Sequence, residues 1–169
     1  MYELNSSCSA RIFAIAFCLA ITFLATRTMA EAAPAFELPD MLGGKPVALS
    51  DFRGQVVYLD FWASWCGPCR KSFPAMQTLY QQFKNDGLVV IAVNLDDTAE
   101  LGESFLLDHP VTYRTLYDAQ KTLPETYNID SMPTSLLIDR DGNIRYRHRG
   151  FKSQDLKHLQ SKISTLLEE

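Results

Sequence analysis

Cysteine is scarce in this chain, and its scarcity excludes one class of protein. Only four cysteines occur among 169 residues, and Cys8 and Cys18 lie within the first thirty. The other two, Cys66 and Cys69, are separated by two residues. A loop that short restricts the unfolded chain little, whereas small stapled domains use several widely spaced disulfides. The sequence therefore excludes a disulfide-stapled scaffold.

Histidine is also scarce, and basic residues are not in excess. The three histidines, His109, His148 and His158, show no spacing typical of metal ligands, so we predict no metal site. The chain has 16 Lys and Arg residues and 20 Asp and Glu residues, which gives a net charge of −4. Domains that bind nucleic acid carry basic patches that neutralise phosphates. We therefore expect no nucleic-acid partner.

No hydrophobic run has the usual length of a membrane span. The apolar stretch 12–25 has fourteen residues, whereas a spanning helix needs about 20. Small residues follow at 28–30, and the whole pattern is typical of a secretory signal peptide cut before Glu31, or alternatively before Ala33. The alternative is an uncleaved N-terminal anchor, and only then do we expect contact with a membrane.

This pattern predicts a signal peptide over residues 1–30 and one domain over residues 31–169. Export would place the domain in an oxidising compartment. The exported chain would keep a single pair of cysteines, Cys66 and Cys69. We find no internal repeat and no interdomain linker in the sequence. The predicted location is the periplasm, or the inner membrane with the domain facing the periplasm if the segment is an anchor.

The most informative motif is the sequence Cys66-Gly67-Pro68-Cys69. It follows an apolar stretch rich in β-formers and precedes a helical pattern. At a helix N-terminus, backbone N–H groups and the helix dipole favour a thiolate, which lowers the pKa of the first cysteine. The alternatives are half of a zinc site or two core cysteines. Structural zinc needs four ligands, so a redox-active pair is the favoured interpretation.

Hydrophobic periodicity predicts alternating strands and helices along the domain. The predicted strands are 47–49, 55–61, 88–94, 112–116, 134–139 and 144–149, and the predicted helices are 68–85, 98–107, 119–127 and 153–167. Asp141-Gly142 predicts a hairpin between the last two strands. This order predicts a parallel core with an antiparallel edge, within a three-layer α/β/α sandwich.

With its WCGPC turn, this order resembles the thioredoxin fold. Asp60 precedes Cys66 by six residues, Met132-Pro133-Thr134 opens a strand, and Gly150 closes the next one. The resemblance runs from about residue 36 to residue 167.

Two further features resemble the exported TlpA/ResA/DsbE-like thiol-disulfide oxidoreductases. One is an N-terminal hairpin formed by residues 34–39 and 49–54, and the other is an extra helix–strand unit at about 97–117. One position departs from the pattern. Ser72 stands where many of these proteins carry a glutamate, so this chain lacks that carboxylate.

The resemblance implies a role for each matching residue. Cys66 would be the exposed nucleophile, and Cys69 the buried resolving thiol. Asp60 would be a buried carboxylate that takes the Cys69 proton through a water, and Pro133 would follow a cis peptide bond. Substrate contacts would come from Trp65, Gly67, Pro68, Met132 and Thr134. Trp62 would pack in the core.

The implied activity is reduction of disulfides in exported proteins, with apocytochrome c as one candidate substrate. Electrons would come from a DsbD-like membrane dithiol carrier. No bound cofactor is expected besides the Cys66–Cys69 disulfide itself. The alternatives are a disulfide oxidant or isomerase on the same fold, and a thiol module that handles copper or zinc. A peroxidase fits less well, because the chain has a CxxC pair rather than a lone peroxidatic cysteine.

Three arginines alternate along the predicted last strand, at Arg145, Arg147 and Arg149. They are either a basic face for an acidic partner or the solvated face of an edge strand. Charged edges discourage aggregation, so the second interpretation is favoured.

Overall fold

A six-stranded mixed sheet organises the chain. A computed structural model describes residues 30–169, so the predicted signal peptide, apart from Ala30, lies outside the described residues. The strands are β1 Glu31–Ala32, β2 Glu37–Leu38, β3 Val47–Ala48, β4 Val56–Trp62, β5 Leu88–Asn94, β6 Arg114–Tyr117, β7 Thr134–Ile138 and β8 Asn143–Arg149. The helices are α1 Cys69–Phe83, α2 Ala99–Asp108, α3 Leu123–Thr126 and α4 Asp155–Glu168. Across this part of the chain, no helix combines the length and apolarity of a bilayer span.

The strand order in the main sheet is β1-β8-β7-β4-β5-β6. Strands β4, β5 and β6 are parallel, whereas β7 runs antiparallel to β4 and β8 antiparallel to β7. The α/β thioredoxin-like fold and the mixed sheet are therefore confirmed. The short β1 was not predicted, and it pairs with β8 at Glu31↔Ile144 and Ala32↔Asn143. Strand β8 is thus covered at one end rather than being a free edge.

The alternation of side chains along β4 divides the core into two halves. Tyr58 and Trp62 point into the half that α1, α2 and α4 cover. Leu59 and Phe61 point into the other half, under β2, β3 and α3. Successive strand residues face opposite sides of a sheet, so Asp60 shares the first face with Tyr58 and Trp62. The α/β/α layering is present, with a thin second helical layer.

The predicted helix–strand unit at 97–117 is present as α2 and β6, and β6 forms the sheet edge beside β5. Helix α2 lies close to the end of β5. A Cβ atom at Gly102 would lie 2.6 Å from Met41 Cε and 2.8 Å from Asn94 Nδ2. Glycine at this position therefore permits the close approach of the helix.

The N-terminal hairpin and the helix predicted over 119–127 differ most from the prediction. The N-terminal hairpin pairs Glu37–Leu38 with Val47–Ala48, and residues 49–52 form a 3-10 turn instead of its second arm. Helix α3 is also shorter than the predicted 119–127. Lys121 has a φ of 52°, which is not helical, and the Asp118 carboxylate accepts a hydrogen bond from the Leu123 N–H at 2.8 Å. That bond fixes the start of the helix.

Candidate active site

A disulfide joins Cys66 and Cys69 where the chain passes from β4 into α1. Cys69 is the first residue of α1, and its N–H lies 3.3 Å from Cys66 Sγ. The N–H groups of a first helical turn have no partner within the helix, and they carry a positive partial charge. The helix N-terminus therefore favours a thiolate at Cys66 when the disulfide opens.

Both cysteines are buried in this disulfide-bonded state. Cys66 is 4% exposed and Cys69 is 0% exposed. The prediction of an exposed Cys66 was wrong here, because the turn folds its sulfur against the N–H of Cys69. The predicted order of accessibility holds, since Cys66 borders a surface groove and Cys69 does not.

A groove with a volume of about 620 Å³ opens beside Cys66, and we call it the Cys66 groove. Its walls are Trp65, Cys66, Gly67, Pro68, Leu95, Lys121, Pro124, Ile129, Asp130, Ser131 and Met132. Most of these side chains are apolar. Trp65 is 70% exposed, although tryptophan is highly buried on average. The groove thus offers an apolar surface directly beside one sulfur of the disulfide.

The Met132–Pro133 peptide bond is cis, as the resemblance implies. Met132 lines the Cys66 groove, while Pro133 is buried and its carbonyl accepts a hydrogen bond from the Gly150 N–H at 2.7 Å. Thr134 does not line the groove, contrary to the prediction. It is 1% exposed, and its hydroxyl donates to the Ser131 carbonyl at 2.8 Å, so it serves the loop before β7.

Asp60 lies on β4, on the same side of the sheet as α1. It is 1% exposed, and its Oδ2 has no hydrogen-bond partner in the protein. Burial in a medium of low polarity disfavours the carboxylate, so the pKa of Asp60 is well above its ordinary value. A buried acid with a raised pKa can hold a proton at a pH where an exposed aspartate cannot.

Trp62 and Ser72 both pack beneath the disulfide. Trp62 is fully buried, and its ring contacts Phe73 at a centroid distance of 4.7 Å, as expected for a core residue. Ser72 is 1% exposed, and its hydroxyl donates to the Cys69 carbonyl at 3.0 Å. No carboxylate occupies this position beside the cysteines.

Sequence reasoning missed Asp96, which holds the loop before Cys66. This fully buried carboxylate accepts hydrogen bonds from the Ser64 N–H at 3.0 Å and from the Ser64 hydroxyl at 2.9 Å. It also accepts one from Asn94 Nδ2 at 2.8 Å. In the sequence, Asp96 stands only in a short polar stretch after the predicted strand 88–94. The signal that could have revealed it was an acidic residue just after a buried strand that runs parallel to β4.

The alternating arginines of β8 all have partners. Arg145 bonds Asp139 at 3.2 Å and Glu169 at 2.7 Å, and Arg149 bonds Asp130 at 3.2 Å. Arg147 donates to a backbone carbonyl at 2.8 Å. These local pairs leave no free basic face on β8.

Comparison with known proteins agrees with this geometry. Residues 28–164 match the family described as Redoxin. The chain is 35% identical over 123 residues to the thiol-disulfide oxidoreductase ResA of Bacillus thuringiensis subsp. konkukian. This match covers 73% of the chain and 70% of that protein. It is 32% identical over 126 residues to ResA of Bacillus subtilis, with 75% and 70% covered.

A solved structure from Chlorobium tepidum, described as the thiol:disulfide interchange protein DsbE, is also similar. It has 43% sequence identity and a TM-score of 0.79, and the match covers 82% of this chain and 96% of that one. The chain therefore belongs to the Redoxin family, as a TlpA/ResA/DsbE-like thiol-disulfide oxidoreductase of the thioredoxin superfamily.

Proposed function

We propose that this oxidoreductase works in the periplasm as a reductase of disulfides in exported proteins, and that a DsbD-like membrane dithiol carrier recharges it. The observation that carries the proposal is the position of Cys66 at the wall of an open apolar groove, with Cys69 buried behind it. The Cys66 sulfur is therefore positioned where a substrate can reach it. The Cys69 sulfur is positioned to attack Cys66 from the protein interior. Export is supported by the signal-peptide pattern of residues 1–30.

The first step begins with the reduced protein. The Cys66 thiolate attacks one sulfur of a substrate disulfide, and the other substrate sulfur leaves as a thiolate. A mixed disulfide now joins Cys66 to the substrate. The N–H of Cys69, 3.3 Å from Cys66 Sγ in the oxidised state, stabilises the attacking thiolate.

In the second step, Asp60 takes the proton of the Cys69 thiol. The Cys69 sulfur then attacks Cys66, the bond between Cys66 and the substrate breaks, and the substrate leaves with both its sulfurs reduced. The protein ends as the Cys66–Cys69 disulfide, having given up two electrons. The raised pKa of Asp60 suits this role, because a carboxylate with a raised pKa accepts a proton more readily than an ordinary aspartate does.

Substrate binding is assigned to the walls of the Cys66 groove. Trp65, Gly67 and Pro68 form one side, and the Met132 backbone before the cis bond forms the other. An extended substrate segment would pair with that backbone and place an apolar side chain in the groove. Thr134 supports this wall from inside rather than touching the substrate.

The direction of the reaction is inferred from the Gly67-Pro68 dipeptide, which the resemblance associates with reductants. Apocytochrome c is one candidate substrate, and it rests on the subgroup alone. Ser72 replaces the glutamate of many relatives, so a carboxylate at that position takes no part here. The metal-handling alternative uses only the two thiolates, and it is tested by stoichiometric metal binding to the reduced protein that lacks insulin-reductase activity.

The test is the reduction potential of the Cys66–Cys69 pair together with trapping of the substrate. We expect a potential near that of thioredoxin, about −270 mV, and well below that of protein disulfide isomerase, about −180 mV. Cys66→Ser should abolish insulin reduction. Cys69→Ser should instead accumulate a mixed disulfide through Cys66, because nothing resolves it.

A potential near that of a strong oxidant, about −120 mV, would reassign the protein as a disulfide donor. Full reductase activity in Cys66→Ser would overturn the assignment of the nucleophile. Cleavage before Glu31 is tested by sequencing the N-terminus of the protein recovered from the periplasm.

A further inference from the structure

A row of three polar side chains crosses the sheet from its centre toward one margin. Asp60 of β4 pairs with Ser135 of β7, and Ser135 pairs with His148 of β8. Residues directly opposite each other on neighbouring antiparallel strands have Cβ atoms about 4.5–5.5 Å apart. We call Asp60, Ser135 and His148 the polar row.

The side chains of the polar row share one face of the sheet. The Tyr58 hydroxyl donates to Ser135 Oγ at 2.9 Å, and Tyr58 is two residues from Asp60 on the same strand. The rings of Tyr146 and His148 stack with a centroid distance of 6.4 Å, and Tyr146 packs against the core beneath α4. All three side chains therefore lie under the helical layer that contains α1 and α4.

Exposure rises along the row. Asp60 is 1% exposed and Ser135 is 4% exposed, whereas the side chain of His148 is 16% exposed and that of its partner Asp155 is 21% exposed. On the other side of Asp60 the neighbour across the sheet is Ala92, which has no polar side-chain atom. Across the sheet, the polar neighbour of Asp60 is therefore Ser135. Tyr113 also lies near Asp60, since burial and the Asp60 charge both raise the pKa of Tyr113, but Tyr113 is itself only 2% exposed.

The observed hydrogen bonds determine which atoms of Ser135 and His148 can still give or accept a proton. His148 Nε2 lies 3.2 Å from Asp155 Oδ2. An ionised carboxylate can only accept, so Nε2 carries the proton and Nδ1 is left as an acceptor. A serine hydroxyl has one donor and two acceptor sites. Tyr58 occupies one acceptor site of Ser135. In the disulfide-bonded state Asp60 Oδ2 has no hydrogen-bond partner, and the second acceptor site and the donor of Ser135 are not engaged by Asp60 or His148.

We propose that the polar row is the route by which a proton passes between Asp60 and the solvent during thiol exchange. This inference rests on the proposed function, in which Asp60 takes the Cys69 proton. The Asp60 carboxyl gives its proton to Ser135 Oγ, Ser135 gives its own proton to His148 Nδ1, and His148 releases one proton to water. Asp60 is again a carboxylate, Ser135 a hydroxyl and His148 neutral, so protons balance and no electrons move.

Few other titratable groups surround His148. From α4, Asp155 faces it directly, and His158 bonds the hydroxyl of Tyr146 at 3.1 Å. Lys162 lies 5.7 Å from the centre of the Tyr146 ring. The neighbouring β8 residues Arg147 and Arg149 bond groups on the other side of the strand. His158 lies near His148 but outside the polar row, so it is the matched histidine control.

The test is a single turnover of the reduced protein with insulin at several pH values, with tryptophan fluorescence as the measured signal. Ser135→Ala should slow the resolving step at least about tenfold, since a positioned proton transfer contributes roughly 10²–10⁴-fold. Ser135→Thr keeps the hydroxyl and should stay near the wild-type rate. His148→Gln keeps a group that can donate to Asp155 but cannot relay a proton, so it should slow the step and flatten its pH profile, whereas His158→Gln should not.

Chemical rescue separates proton transfer from packing. Imidazole added to His148→Ala should raise the rate of resolution, and the rescued rate should follow the basicity of substituted imidazoles. Ser135→Ala and His148→Gln proteins that are folded and keep both the wild-type rate and its pH profile would overturn the proposal. If Asp60→Asn slows the step while those two variants do not, only the route fails. If Asp60→Asn is also unaffected, the proton role of Asp60 in the proposed function fails with it.

Discussion

Trp65 presents an exposed indole beside a sulfur that is almost covered. Since Cys66 is 4% exposed and Trp65 is 70% exposed, a partner that reaches the sulfur must also contact the indole. Exposed aromatic residues next to a reactive group are typical anchors of an interface. We expect Trp65→Ala to lower kcat/KM for insulin reduction about tenfold, equivalent to about 1.4 kcal/mol.

Leu107 is the matched control for this prediction. It is 84% exposed on α2 and is not part of the Cys66 groove. Leu107→Ala removes a similarly exposed apolar side chain and should leave kcat/KM unchanged. Equal losses in both variants would show that general surface hydrophobicity, rather than docking at Trp65, determines the rate.

Asp60 makes the stability of the protein depend on pH. Its pKa is raised by burial, so the native state holds a proton over a range of pH in which the unfolded chain, with a pKa of about 3.9, has lost it. Stability is therefore full below about pH 4 and falls as the pH rises toward the raised pKa, by up to about 1.4 kcal/mol per pH unit. Asp60→Asn lacks this titration.

Urea unfolding of the wild type and Asp60→Asn at a series of pH values measures the effect. The free energy of unfolding of Asp60→Asn, relative to the wild type, should increase steadily from about pH 4 upward. Parallel curves for the two proteins would mean that the pKa of Asp60 is not raised in the folded state.

At the scale of elements, the end of β5 positions the loop that leads into the disulfide. Asp96 follows β5 and binds both the N–H and the hydroxyl of Ser64. Asp96→Ala would leave these donors and Asn94 Nδ2 without their acceptor, so we expect a loss of about 1–3 kcal/mol in the free energy of unfolding. The reduction rate should fall as well, since the loop carries Trp65 and Cys66.

The next residue provides the comparison for this loop. Asp97 pairs with Lys121, but the Asp97 side chain is 85% exposed, and exposed ion pairs stabilise proteins little. Asp97→Ala should therefore unfold at the same urea concentration as the wild type and reduce insulin at the same rate. If Asp96→Ala behaved like Asp97→Ala, the loop would not depend on β5.

Elements with a strong local pattern could be predicted from sequence, and those fixed by distant contacts could not. Strand β5 has the predicted bounds 88–94, because its run of apolar residues is bounded by turn-forming residues. Helix α3 was predicted too long, because the Asp118 carboxylate that fixes its start acts across five residues. Strand β1 has two residues and no pattern of its own. It exists through its pairing with β8.

At the scale of the whole molecule, the candidate site was predictable where it is contiguous in sequence. The cysteines, Asp60 and the cis bond at Pro133 lie in motifs. The polar row does not, since Asp60 comes beside Ser135, and Ser135 beside His148, only through the register of three strands. Burial of Cys66 was also missed, because it depends on how the disulfide folds against α1.

The two predicted cleavage positions differ in whether the mature protein keeps β1. A chain that begins at Glu31 retains both pairs with β8, whereas one that begins at Ala33 loses them along with the 3.8 Å contact between Glu31 and Arg147. Losing this short ladder should cost about 1 kcal/mol, a drop in Tm of roughly 4 °C.

Redox activity should not change between these two chains, because β1 pairs with the end of β8 at 143–144, away from the end at Arg149 that pairs with Thr134. Calorimetry and insulin reduction on both chains measure the two effects separately. Glu31→Gln in the longer chain is the control: it keeps the ladder and removes only an exposed charge pair, so its Tm should match that of the longer chain. Equal Tm values for the two chains would show that β1 adds nothing to stability. A lower activity in the shorter chain would show that β1 supports the site through β8, and would favour cleavage before Glu31.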